Sequence, residues 1–195
     1  MADTIIAAPP ARVAAPLRPG YIAAAAIALA AMTVAILGSS LWLLDFVHVM
    51  SGALWTGIDL FMGFVIGPVM RRVSLDTRRA MIAGIIPRTL VLMPTLSAIT
   101  STSGWFLAQR LGFLDLAYPQ FWWVIAALGI VSVLTVQGLG YLLPMNLKLY
   151  FEIQKPAPDP EKLKRWMRTY VRVVAVQGVM QIAIIVVMAR FATGF

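Results

Sequence analysis

Long apolar runs alternate with short polar or basic stretches along the chain once its first twenty residues are passed. Five runs are long enough to matter: residues 21–40, 41–70, 90–109, 118–147 and 173–191. A helix needs about 20 apolar residues to cross the roughly 30 Å of hydrocarbon in a bilayer. The pattern therefore predicts an all-α integral membrane protein, a bundle of five transmembrane helices, with four as the alternative count.

The boundary between the first two runs decides between these counts. Only Gly38, Ser39 and Ser40 separate the runs, so a tight turn must fall there if both runs cross the membrane. The alternative is a single overlong interfacial helix in place of the first span.

Composition supports the membrane class and removes several others. Hydrophobic residues make up 61% of the chain and charged residues 12%, and the mean hydropathy is +0.85, which is too apolar for a soluble domain. The net charge of +8 is divided among short clusters between the runs, so it predicts no nucleic-acid partner. The absence of cysteine excludes disulfides, thiolate metal sites, iron–sulfur ligation and covalent c-type haem attachment.

The basic clusters predict an orientation, because Lys and Arg accumulate on cytoplasmic loops close to the spans. They lie at Arg12 and Arg18, at residues 71–79 and at residues 148–172. Alternate connections are thus positive, which places the N-terminus in the cytoplasm and the C-terminus outside the cytoplasmic (inner) membrane. These basic residues would also attract anionic lipid headgroups.

The chain divides into two parts. Residues 1–20 mix prolines with alanines and lack a burial pattern, so they are predicted to form a flexible N-terminal tail. Residues 21–195 are predicted to form a single transmembrane helical domain. Within it, residues 148–172 are expected to be a basic cytoplasmic loop that starts with a proline-rich turn and continues as an amphipathic helix.

One helical face of the second run carries nearly all of its ionisable groups. His48, the only histidine, and Asp59 lie about 20° apart around a helix, and Asp45, Gly52 and Trp55 fall on the same side. An ionisable group in hydrocarbon costs on the order of 3 kcal/mol or more. We therefore expect this face to point into the protein interior or a cavity.

Four of the predicted spans place a polar side chain near the bilayer midplane: Asp59, Thr100, Gln137 and Gln181. Two interpretations remain open. The groups can hydrogen-bond between helices in a structural role, or they can line a small polar cavity for a proton, an ion or a cofactor headgroup, with Asp59 as its titratable member.

His48 is the candidate ligand for a metal or cofactor. It lies about three turns from Asp59, near the outer interface, and Asp45 one turn away can orient the imidazole. The alternative is a polar pair at the membrane surface. With no second histidine, a bis-histidine haem cannot form within one chain. Arg88, near the inner boundary, can snorkel or pair with a bound propionate or lipid phosphate.

The residues from 43 to 57 carry the pattern H-x6-W-x-G at His48, Trp55 and Gly57. This segment resembles the opening histidine helix of small polytopic membrane proteins of the CopD-like and HemJ-like group. The resemblance implies that His48 occupies the position linked to haem b. The lysine partner of the HemJ-like group has no matching motif here, and Asp59 stands where a small residue is usual, so the sequence does not predict an enzyme.

Three functions from different classes fit these observations. The first is a haem- or quinone-associated membrane protein of an electron-transfer assembly, an auxiliary or redox subunit. Its cofactor, tentatively haem b, would be bound through His48, Asp45, Trp55, Asp59 and Arg88. The second is a copper-handling or other transport protein with His48 at its outer mouth. The third is an accessory subunit without a cofactor, which packs against other membrane subunits or its own copies. The first is the interpretation that the sequence favours.

Overall fold

The computed structural model describes residues 17–194, except for the side chain of Leu75. Helices are the only regular structure in this part of the chain. The predicted flexible tail over residues 1–20 lies outside the described residues as far as residue 16, and the first helix begins at Pro19.

Seven α-helices and three shorter helical segments follow one another in the described residues. The α-helices are α1 Pro19–Leu37, α2 Leu41–Phe61, α3 Gly67–Arg72, α4 Leu75–Arg110, α5 Phe121–Gln137, α6 Leu143–Ile153 and α7 Pro160–Thr193. The shorter segments are the π-helical Met62–Ile66 and Gly138–Leu142 and the 3₁₀-helical Phe113–Asp115.

The two π-helical segments join α-helices into longer ones, so that the described residues form five long helices. They cover Pro19–Leu37, Leu41–Arg72, Asp76–Arg110, Phe121–Ile153 and Pro160–Thr193. Each is long and apolar enough to cross a membrane. The prediction of an all-helical protein with five such helices is confirmed.

The turn between the first two helices lies where the sequence predicts it. Gly38 closes α1 with its backbone N–H on the Val34 carbonyl at 2.9 Å. The Ser40 hydroxyl then accepts a hydrogen bond from the Leu43 N–H at 3.2 Å, which caps the first turn of α2. Two helices therefore replace the single overlong helix that was the alternative.

Two long helices begin much earlier than the apolar runs do. α4 starts at Leu75 instead of residue 90, because Ser74 caps its N-terminus by accepting from the Thr77 N–H at 3.3 Å. α7 starts at Pro160 instead of residue 173, because Asp159 caps its first turn. Hydropathy marks where lipid can cover a helix and does not mark where the helix ends.

Most of the basic loop predicted over residues 148–172 is helical, so the actual loop is much shorter than predicted. Only residues 154–159 join α6 to α7. The buried Glu152 carboxylate holds this turn: it accepts hydrogen bonds from Lys155 Nζ at 2.9 Å and the Asp159 N–H at 3.3 Å. Lys162 Nζ lies 3.1 Å from the same carboxylate.

α4 lies at the centre of the bundle, packed against α1, α2 and α6, while α5 packs against α7 and α7 also contacts α2. Three buried clusters fill these contacts. They are centred on Ala35, Leu44 and Leu107; on Trp55, Leu96 and Leu134; and on Ile82, Ile86, Leu90, Tyr150 and Ile153. The middle cluster brings α2, α4 and α5 together around Trp55.

Each π-helical segment lies between two α-helices, and the two have similar surroundings along the chain. One follows α2 and is followed by Pro68, and the other follows α5 and is followed by Pro144. Both contact α7. A π turn widens the helix and is often found at a functional site. The first of them begins three residues after Asp59.

Candidate functional site

His48 lies half-buried between α2 and α4. Its Nδ1 atom lies 3.0 Å from the Thr100 main-chain oxygen and 3.5 Å from the Ser103 hydroxyl. One turn along α2, the Ser51 hydroxyl accepts a hydrogen bond from Thr100 Oγ1 at 2.9 Å and donates to the Val47 carbonyl at 2.7 Å. The imidazole is therefore positioned by α4 and not by its own helix.

Gly104 makes room for the imidazole. A Cβ atom at this position would lie 2.6 Å from His48 Cε1 and 2.9 Å from Nδ1, closer than real side chains pack. The ring therefore lies directly against the backbone of α4. Only glycine allows the hydrogen bond to Thr100 and the close approach of the two helices at the same time.

The contact with Thr100 decides which ring nitrogen carries the proton. A carbonyl oxygen only accepts, so Nδ1 must donate, and a neutral His48 then has its lone pair on Nε2. Among the described residues none forms a hydrogen bond to Nε2. A backbone carbonyl on Nδ1 is the usual partner of a histidine that binds a metal through Nε2.

Asp59 occupies a second polar site, about 16 Å from His48 along α2 and directed at α7. Its Oδ2 atom accepts hydrogen bonds from Gln177 Nε2 at 2.5 Å and from Gln181 Nε2 at 2.6 Å. The buried Trp55, one turn before Asp59, is the third polar group beside the carboxyl group. Two glutamines and one indole thus converge on a single carboxylate.

Each of the two glutamines forms a hydrogen bond through its amide nitrogen but none through its amide oxygen. Gln177 is 4% exposed and Gln181 is 1% exposed, and the Oε1 atoms of both have no hydrogen-bond partner. Buried polar atoms in proteins are nearly always paired, because an unpaired one costs about 1–3 kcal/mol. The site therefore has an excess of acceptors: one carboxylate and two amide oxygens.

α2 and the first π-helical segment meet α7 beside Asp59. A Cβ atom at Gly178 would lie 3.6 Å from Leu60 Cδ2, and one at Gly63 would lie 3.8 Å from Val174 Cγ1, which are ordinary contact distances.

The predicted midplane layer does not exist as one unit. Asp59 and Gln181 meet, as the layer requires, but Thr100 belongs to the His48 site. Gln137 donates from Nε2 to the Val173 carbonyl at 2.6 Å and thereby joins α5 to α7. Depth along separate helices cannot tell which side chains face each other.

Two of the predicted site residues lie apart from both sites. Asp45 is exposed, and the partner of His48 Nδ1 is the Thr100 carbonyl and not the Asp45 carboxylate. Arg88 is exposed on α4, where it donates to the Gly84 carbonyl and lies 5.8 Å from the Tyr21 ring centre. Trp55, in contrast, is buried beside Asp59.

Sequence reasoning missed Gln177 and Gly104. Gln177 lies four residues before Gln181 in an apolar stretch, so the two share one helix face, and that spacing was a usable signal. Gly104 gave no such signal, because its role depends on the helix that packs against it. Among the described residues there is no group of three or more His, Cys, Asp or Glu side chains that could hold a metal ion.

No family model, curated protein or solved structure matches this chain. The resemblance of the His48 segment to the CopD-like and HemJ-like group therefore stays a prediction, and the two sites must be interpreted from their own chemistry.

Proposed function

We propose that the five long helices cross the cytoplasmic (inner) membrane, with the N-terminus inside and the C-terminus outside. Large apolar side chains on the outside of the bundle support this proposal, since Phe64 is 72% exposed and Val136 is 73% exposed. Lipid covers such a surface at no cost, and water does not. The basic C-terminal end of α3 and the basic N-terminal turns of α7 fit the cytoplasmic side of the membrane and its anionic headgroups.

α1 gives the scale of the proposed membrane layer. Its 19 residues extend over about 28 Å, close to the hydrocarbon thickness. It lies along α4 from Arg110, which donates to the Ile36 carbonyl, to Arg88, which faces Tyr21. The part of α4 before Arg88 then extends beyond the membrane into the cytoplasm.

Asp59 lies nearer the inner surface than the midplane on this scale. Gly52 of α2 lies opposite Thr100 of α4, since a Cβ atom at Gly52 would touch the Thr100 side chain. The two helices run in opposite directions, so Asp59, seven residues after Gly52, lies at the level of about residue 93, seven residues before Thr100. That level is only about 8 Å above Arg88, assuming 1.5 Å per residue. His48, opposite Gly104, lies in the outer half. The two sites of α2 thus belong to opposite leaflets.

The function that this geometry supports best is that of a haem- or quinone-associated subunit of a membrane electron-transfer assembly. The observation that carries it is the hydrogen bond between His48 Nδ1 and the Thr100 carbonyl. It fixes a tautomer in which Nε2 offers a lone pair, and Gly104 holds the ring in place. This chain itself would be an auxiliary or redox subunit.

The residues present fit such a group at one atom. His48 Nε2 would bind the iron of haem b, or would accept a hydrogen bond from a quinol hydroxyl. Haem b would supply one-electron exchange when bound. A further histidine ligand would have to come from a second copy or another membrane subunit, because the chain contains one histidine.

A visible difference spectrum tests this proposal. The full-length protein is purified in mild detergent from membranes that contain its partners, and the reduced-minus-oxidised spectrum is recorded for the wild type, His48→Ala and Asp45→Asn. We expect Soret and α bands that His48→Ala loses and the matched control Asp45→Asn keeps, because Asp45 is exposed and does not hold the ring.

The remaining outcomes favour the alternatives. Bands that survive in His48→Ala would show that haem belongs to another site. If the wild type has no bands, quinol extraction from the purified protein decides whether a quinone is retained through His48. Copper found by metal analysis, and lost in His48→Ala, would favour copper handling instead. A protein with none of these groups would be an accessory subunit.

A further inference from the structure

Asp59 has no cationic partner among the described side chains. None of the salt bridges in the described residues involves Asp59. Its hydrogen-bond partners Gln177 and Gln181 are neutral donors. A lone carboxylate inside a membrane protein is costly, and such groups are normally paired with a cation or a proton. An ionised Asp59 therefore requires one positive charge beside it.

The two amides can supply further oxygen ligands. Each glutamine uses an N–H group on Asp59 Oδ2 and leaves a buried oxygen with no donor. A proton on Asp59 can satisfy only one of these oxygens, since a carboxylic acid has a single O–H. A metal cation can bind both oxygens at once, in exchange for the two N–H bonds to Asp59 Oδ2.

We propose that Asp59, Gln177 and Gln181 form a binding site for one monovalent metal cation, with Na⁺ as the ion tested. Rotation of each amide about its last side-chain bond exchanges N–H for oxygen and turns both Oε1 atoms toward the carboxylate. The cation then has three protein oxygens, and water completes its shell. Hard cations prefer such all-oxygen ligands.

The charge of the site selects a monovalent ion. One carboxylate neutralised by one monovalent cation leaves no net charge in the bundle, whereas a divalent cation would leave one positive charge there.

The first π-helical segment lies beside the site. It begins three residues after Asp59 and contacts α7, as the second π-helical segment does. The inferred cation site is independent of the His48 proposal, and either can fail without the other.

Thermal unfolding of the detergent-purified full chain tests the inference. The melting temperature is measured as NaCl replaces choline chloride at constant ionic strength, with KCl as a parallel series. We expect a saturable rise of ~3–6 °C once Na⁺ reaches ten times its Kd. Equal curves in all three salts would overturn the proposal.

Asp59→Asn and Asp45→Asn form the matched pair of variants. Each removes one carboxylate from α2, but only Asp59 contacts the glutamines. We expect the Na⁺-dependent rise to vanish in Asp59→Asn and to persist in Asp45→Asn. Persistence in Asp59→Asn would contradict the assignment.

A calorimetric titration of the wild type with NaCl keeps the test decisive if Asp59→Asn does not fold. We expect saturable heat, and an apparent affinity that falls as the pH is lowered because protons compete for Asp59. A pH-dependent melting temperature without any Na⁺ heat would show that the site holds a proton only and would reject the cation.

Discussion

The two polar sites of α2 lie on the same helix and are built in opposite ways. His48 is held by a backbone carbonyl and a glycine of α4, which cannot rearrange, and it presents one unused atom. Asp59 is held by two side-chain amides of α7, which can rotate, and it is surrounded by unused acceptors. The first is a rigid support for one coordinate bond, and the second is an adaptable cage that requires a positive charge.

The largest expected effect is at the amide cage. Asp59→Leu removes the common acceptor of Gln177 and Gln181 and leaves their buried N–H groups unpaired, so we expect the free energy of unfolding to fall by about 3 kcal/mol. Unfolding in mixed detergent micelles measures it. Asp45→Leu, at an exposed position of the same helix, is the control and should change little. Equal losses in the two variants would mean that the cage contributes nothing.

The rigid site should respond to a single methyl group. Gly104→Ala places a Cβ atom 2.6 Å from His48 Cε1, so the ring must shift and give up the Thr100 carbonyl. We expect a loss of about 2 kcal/mol in unfolding free energy, as for other overpacked interiors, together with loss of any His48-dependent absorption.

Gly57→Ala is the control for that substitution, because a Cβ atom at Gly57 meets nothing within 4 Å. We expect it to leave stability and the spectrum unchanged or slightly improved. If Gly104→Ala behaves in the same way, then the ring is not pressed against α4.

A smaller effect is expected at Gln137, which lies in neither site. Gln137→Leu removes its hydrogen bond to the Val173 carbonyl between α5 and α7, at a cost of about 1 kcal/mol. The Na⁺ response and the spectrum should both be retained. A lost Na⁺ response would extend the cage to α5 and revive the single polar layer.

The smallest effect concerns the hydroxyl pair beside His48. Ser51→Ala removes the acceptor of Thr100 Oγ1, and we expect it to cost about 0.6 kcal/mol, typical of hydrogen bonds between membrane helices. A double-mutant cycle with Thr100→Val isolates this coupling. A coupling near zero would leave the contacts of His48 Nδ1 with the Thr100 carbonyl and the Ser103 hydroxyl as the polar interactions that join α2 to α4 here.

The sequence predicted the helices better than their ends. Apolar runs mark five long helices, and Gly38 and Ser40 mark the first turn. The apolar runs could not show that α4 begins at Leu75. The polar, arginine-rich residues before the run also have high helix propensity, so the helix continues through them back to its N-cap at Ser74.

For the two sites, the sequence predicted the inward-facing residues of α2 but not their partners on other helices. Helical periodicity places His48, Trp55 and Asp59 on one inward face, and the structure puts each of them in contact with a neighbouring helix or in the core. Their partners depend on which helix packs where, and no periodicity within a single helix contains that information. Asp45 was paired with His48 by spacing alone, and tertiary packing gave the bond to Thr100 instead.

The most direct measurement of the account is one difference spectrum recorded for three proteins: the wild type, His48→Ala and Asp59→Asn. If α2 carries a rigid redox-ligand site and a separate cation site, the bands of the wild type disappear in His48→Ala and remain in Asp59→Asn. Bands that persist in His48→Ala, or that are lost equally in both variants, would contradict the division of α2 into two sites.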